Sequence, residues 1–112
     1  MTRGAEDAYE RAARASDVPL DGSLGVTTSS GRRICLLNVD GEVLAVSNDC
    51  THQAFPLSEG VVLPGARLEC AWHGAQFDCR TGEVLRGPAV EPLERYAVRV
   101  EGDDVLVGPA LP

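Results

Sequence analysis

An all-β fold is predicted for this chain on three observations. Turn-forming residues recur about every eight to twelve positions, as at Ser29-Ser30-Gly31, Asp40-Gly41, Thr81-Gly82 and Gly102-Asp103, the rhythm of many short strands. Asp40-Gly41 stands between two apolar runs, and such a pair is a strong two-residue hairpin turn. Arg95 to Glu101 alternates, with Tyr96, Val98 and Val100 on one side, as a half-buried strand requires. No internal repeat or low-complexity tract interrupts the pattern.

The elements follow in order. Ala8 to Ala15 has alanines and charges that suit a helix, but its place before Asp17-Val18-Pro19 suits an opening strand, and a strand is expected. Leu24 to Thr28 and Arg33 to Val39 form a strand pair around Ser29-Ser30-Gly31. Val43 to Ser47 follows the Asp40-Gly41 turn. Val61 to Glu69 then carries the chain toward Cys70. Gln76 to Asp78 and Glu83 to Leu85 flank Thr81-Gly82, and Arg95 to Glu101 pairs across Gly102-Asp103 with Asp104 to Val107. At 112 residues the chain is one domain with one modest core. Within it, roughly residues 46 to 87 are expected to form an inserted lobe, on a base assembled from both ends of the sequence.

The chemistry is concentrated in four residues, Cys50, His52, Cys70 and His73. They stand as Cys50-Thr51-His52 and Cys70-Ala71-Trp72-His73, and these are the only two histidines in the chain. Two thiolates and two imidazoles could hold one tetrahedral zinc or a [2Fe–2S] cluster with two histidines on one iron. Zinc sites usually draw on pairs of like ligands, Cys with Cys or His with His. Here each short segment has one of each, so each can give its cysteine to one iron and its histidine to the other. The pattern favours the two-iron cluster.

Cys50-Thr51-His52-Gln53 with Pro56-Leu57-Ser58-Glu59-Gly60, then Cys70-Ala71-Trp72-His73-Gly74, Phe77-Asp78 and Thr81-Gly82-Glu83, resemble the Rieske ferredoxins of bacterial ring-hydroxylating dioxygenase systems. Gly87-Pro88-Ala89 is similar to that family's proline loop over the cluster. The resemblance runs from about Tyr9 to Val107, and Ala54 departs from it where the family usually has glycine. It implies an antiparallel β-sandwich base with a small cluster-binding subdomain, and one Rieske-type [2Fe–2S] cluster held by Cys50, His52, Cys70 and His73. It implies a soluble, monomeric electron carrier, not an enzyme, between a flavoprotein ferredoxin reductase and a terminal oxygenase, carbazole dioxygenase being one system of this kind. High-potential relatives carry a disulfide and two hydroxyls near the cluster. The corresponding positions here hold Phe55 and Trp72, Ala75 and Phe77, so the resemblance points to the low-potential branch. Two other readings stay open: the small subunit of an assimilatory nitrite reductase, and a zinc-stapled interaction module without redox function.

The charge balance of the cluster explains its range. Two ferric ions, two sulfides and two thiolates leave no net charge, whereas four thiolates would leave two negative charges. Histidine ligation therefore raises the potential, to about −150 to +300 mV against about −400 mV for all-cysteine plant-type clusters. Electrons would pass near His52 and His73, whose neighbours Gln53, Ala54, Phe55, Pro56, Trp72 and Pro88 form a weakly charged rim suited to brief docking.

Other functions are disfavoured. A net charge of −7, with arginine as the only cation and no lysine, argues against nucleic acid and anionic membranes and permits steering toward a basic partner. No apolar run reaches membrane-spanning length, and Met1 to Pro19 lacks the apolar core of a secretory signal, so a cytoplasmic location is expected. A terminal oxygenase needs a mononuclear iron on two further histidines. Cys35, in Arg33-Ile34-Cys35-Leu36-Leu37, is expected to fill core. Cys79 is a conceivable extra ligand or disulfide partner, and is taken as structural.

Overall fold

The computed structural model describes residues 9–49, 56–71, 74–87 and 91–111. The strands are β1 (Glu10–Arg14), β2 (Ser23–Thr27), β3 (Arg33–Val39), β4 (Glu42–Ser47), β5 (Val61–Leu63), β6 (Arg67–Glu69), β7 (Gln76–Asp78), β8 (Val84–Arg86), β9 (Arg95–Glu101) and β10 (Asp104–Ala110). Among the described residues there are also two single 3₁₀ turns, Ala15–Asp17 and Leu57–Glu59. The fold is all-β and its strand pairs are antiparallel, as expected.

Two sheets divide the strands. The base is a six-stranded sheet in the order β1-β10-β9-β4-β3-β2, and the lobe is a four-stranded sheet in the order β5-β6-β7-β8. The base therefore uses strands from both ends of the sequence, and the lobe is inserted between β4 and β9. Val46 and Ser47, within the stretch expected in the lobe, belong instead to the base. Val46 pairs with Cys35 of β3 and with Arg95 of β9.

Local chemistry accounts for the turns. Asp40 and Gly41 both have positive φ, 54° and 90°, the requirement of a tight β3–β4 hairpin. The Asn38 side chain accepts the Gly41 N–H at 2.9 Å. The run from Val61 to Glu69 is a hairpin, broken at Pro64-Gly65, with Val61 opposite Glu69. The opening segment is a strand despite its alanines, because Ala12 and Ala13 pack against the base core while β1 pairs with β10. β2 and β8 are displaced by one residue from the expected stretches, starting at Ser23 and Val84.

The base sheet folds back on itself. Arg32, just before β3, donates to the carbonyls of Gly108 at 2.7 Å and Val107 at 3.1 Å. Glu10 of β1 pairs with the same guanidinium at 2.8 Å and accepts from the Ser30 hydroxyl at 2.6 Å. Inside the fold lie Val18, Ile34, Leu36, Ala45, Val105 and Val107. A second core, including Cys35, Leu37, Val46, Leu57, Leu68, Phe77 and Cys79, fills the space between base and lobe. β3 serves both: Ile34 and Leu36 face the first core, Cys35, Leu37 and Val39 the second. Burial on both faces explains its nearly continuous apolar sequence. Full burial of a side chain such as Leu36 or Phe77 stabilises by about 1.5–3 kcal/mol.

Candidate metal centre

The two candidate ligand loops spring from closed stems. Asn48, at the end of β4, organises the first. Its N–H donates to the Arg33 carbonyl at 3.0 Å and its own carbonyl accepts the Leu57 N–H at 2.7 Å. Its side-chain Oδ1 accepts the Ser58 N–H at 2.8 Å. Asp49 and Pro56 add an antiparallel bridge, and Leu57 is driven fully into the second core. The chain is thus held at Asp49 and again at Pro56. Cys50, His52, Gln53, Ala54 and Phe55 themselves lie outside the described residues.

The second stem is the β6–β7 hairpin. The Cys70 N–H donates to the Ala75 carbonyl at 2.8 Å, and the Gly74 N–H donates to the Cys70 carbonyl at 3.0 Å. Gly74 has φ +75°, a conformation open to glycine at little strain. Cys70 is 2% exposed and Ala75 fully buried. Trp72 and His73 lie outside the described residues, as do Pro88 and Ala89 of the expected proline loop. The stems stand side by side, because Gly60 at the end of the first packs on the Glu69 carbonyl at the start of the second.

A carboxylate precedes each candidate cysteine. Asp49 is paired with Arg33 at 3.2 Å. Glu69 accepts from the Gln76 amide at 3.2 Å, its cross-strand partner.

The thiols sort themselves by environment. Burial pushes the Cys35 thiol up to about 12, against a small opposing hydrogen bond from Ser23. Burial, reinforced by Cys35 and Asp78, likewise pushes Cys79 up to about 12. Both sit in the core between the sheets, the structural role expected of them. Cys70 belongs to the same core but stands at the stem of the second loop, its backbone hydrogen-bonded to Ala75 and Gly74. Of the four candidate ligands it alone is among the described residues. Asn48 and Glu69 are supporting residues that sequence reasoning missed, and Gly60 stood in the motif of the resemblance with no role assigned to it. The one prior signal was that Asn48-Asp49 and Glu69 abut the two cysteines.

Comparison with known proteins defines the class. Residues 9–97 match the Rieske [2Fe-2S] domain, and the chain belongs to that family, whose members carry a Rieske-type [2Fe–2S] cluster. It is 40% identical to the biphenyl dioxygenase ferredoxin subunit of Pseudomonas sp. strain KKS102, over 88% of this chain and 90% of that protein. Its structure resembles the ferredoxin of carbazole 1,9a-dioxygenase from Nocardioides aromaticivorans IC177, with TM-score 0.84 and 29% identity over 91% of this chain and 98% of that one. A chain in the complex of reduced oxygenase and oxidised ferredoxin of carbazole 1,9a-dioxygenase matches with TM-score 0.82 and 27% identity, over 90% of this chain and 93% of that one. Among the described residues no helix is long and apolar enough to cross a membrane.

Proposed function

We propose that this chain is the electron-carrying ferredoxin of an aromatic-ring dioxygenase system, with Cys50, His52, Cys70 and His73 holding its cluster. It would accept single electrons from a flavoprotein reductase and deliver them to a terminal oxygenase. The observation that carries this reading is coverage: the match to a dioxygenase ferredoxin subunit takes in 88% of this chain and 90% of that relative. The cluster supplies a one-electron acceptor and donor. The protein's part is to fix two loops at adjacent stems, the second followed by the buried Ala75 and Phe77. Ala75 and Phe77, at the positions where high-potential relatives have hydroxyls, are both fully buried, which supports a low potential.

The test is reconstitution. Purified protein should be reddish brown, with one two-iron cluster per chain. It should restore electron flow from a flavoprotein reductase to a ring-hydroxylating oxygenase, with biphenyl and carbazole systems assayed in parallel. A colourless protein carrying zinc would favour the zinc-stapled reading. A two-iron protein that fails to couple any such reductase and oxygenase would remove the proposed role.

A further inference from the structure

We propose that Glu69 is a fixed negative charge beside the second ligand loop that lowers the cluster's reduction potential, with Gln76 as the positioning residue that holds it there. The inference rests on the reading of Cys70 and His73 as ligands. Four observations support it. Glu69 immediately precedes Cys70, and its carbonyl is locked against Gly60. Its carboxylate is turned toward the loop: Oε1 accepts from Gln76 Nε2 at 3.2 Å, and Oε2 lies 3.8 Å from where a Cβ on Gly74 would stand. Glu69 is half-buried, so solvent screens it less than a surface charge. The partners also differ. Asp49, in the equivalent place before Cys50, has its charge matched by Arg33, whereas the Gln76 amide has none to offer Glu69. The arginines on the same sheet are Arg67, exposed, two positions back on β6 and opposite Asp78, and Arg86, exposed, opposite Gln76 on β8; among the described residues neither forms an ion pair with Glu69.

Reduction adds one electron to the cluster without making or breaking a bond. A carboxylate fixed nearby disfavours that step, because like charges repel most strongly where water is partly excluded. Gln76 acts only through Glu69, by holding the carboxylate over the loop instead of letting it swing into water.

Film voltammetry on the cluster-loaded protein tests this, with iron content and visible spectrum as controls. Glu69→Gln removes the charge and keeps a group able to bond Gln76. It should favour reduction three- to tenfold, a rise in midpoint of up to about 59 mV for one electron. Gln76→Lys keeps Glu69 and supplies a cation, and should raise the midpoint in the same direction. Glu69→Asp should stay near wild type. The Glu69→Gln shift should shrink as salt is added. A change below threefold in Glu69→Gln with full iron content would overturn the proposal. Should Glu69→Gln fail to load iron, an unmoved midpoint in Gln76→Lys would overturn it instead. Absence of a two-iron cluster from the wild-type protein would remove the ligand reading itself, a different failure from an unmoved midpoint.

Discussion

Gly60 lies so close to the Glu69 carbonyl that no side chain fits between them, and this contact sets the spacing of the two ligand-loop stems. A Cβ on residue 60 would overlap the Glu69 carbonyl and approach the Leu57 carbonyl, at 3.2 Å. Both are main-chain groups within stems and cannot swing aside. Gly60→Ala should therefore part the stems, with an overpacking penalty of about 1–3 kcal/mol and a clear fall in iron and sulfide per chain. Val100→Ala is the control, since Val100 is exposed on β9, away from both stems, and it should load fully. Full loading of Gly60→Ala would show that the stems do not need this approach.

Cys70→Ala should abolish cluster assembly and leave the second loop poorly ordered, since metal binding and loop order are coupled. Cys35→Ser and Cys79→Ser should each keep the visible spectrum. Both remove buried thiols from the core between the sheets, and a buried hydroxyl without a partner destabilises by about 1–3 kcal/mol. Iron analysis and urea titration distinguish the outcomes. A folded Cys79→Ser protein without cluster would reassign that residue.

The midpoint potential should lie near the low end of the Rieske range, about −150 mV. Ala75→Ser should raise it if the new hydroxyl reaches a cluster sulfide, because hydrogen bonds to sulfur stabilise the reduced, more negative state. A wild-type midpoint above about +100 mV would contradict the low-potential assignment.

Acid should loosen the base through Glu10. Burial alone would raise this carboxyl, but hydrogen bonds from Ser30 and Arg32 outweigh it and hold it down at about 2, below its usual 4.5. A carboxyl whose pKa is depressed on folding contributes stability that is fully present above the unfolded pKa and is lost as pH falls toward the folded one. At pH 7, Glu10→Gln should be less stable than wild type by on the order of 1 kcal/mol, allowing for solvent screening. That difference should hold down to about pH 5 and close as pH drops from about 4.5 toward about 2. Urea unfolding of both proteins from pH 7 to pH 3 measures it, and a constant difference across the range would exclude the carboxylate as its source.

Docking of partners should involve the weakly charged rim beside the histidines. Phe55→Asp should then slow transfer to the oxygenase while leaving cluster content and potential nearly unchanged, because the new charge would be desolvated without a partner. Turnover of the reconstituted chain at sub-saturating ferredoxin reads this. An unchanged rate would shift attention to the acidic surface, whose attraction for a basic partner should weaken steeply with salt.

How far the fold could be read in advance depended on the reach of each cause. Asp40-Gly41 and the alternation at Tyr96, Val98 and Val100 are local signals, and β3, β7 and β9 lie where expected. The lobe boundary was harder. Val46 and Ser47 look like lead-in to the first ligand loop, and only their pairing with β3 and β9 assigns them to the base. Spacing alone singled out the four candidate ligands. Their supports were hidden because Asn48 acts across ten positions on Ser58 and Gly60 acts through a contact with Glu69 across the β5–β6 hairpin. Neither pairing leaves a trace in local composition.

The placement of β3 has a consequence for how the molecule comes apart. Its alternate side chains form a party wall between two cores: Ile34 and Leu36 on one side, Cys35, Leu37 and Val39 on the other. Neither compartment can be emptied while the other stays sealed, since losing the wall exposes both. Base and lobe should therefore melt in a single cooperative step instead of two. Truncating Leu36 would open the compartment inside the base and truncating Leu37 the one beneath the lobe, which makes this strand the common point of failure for both sheets.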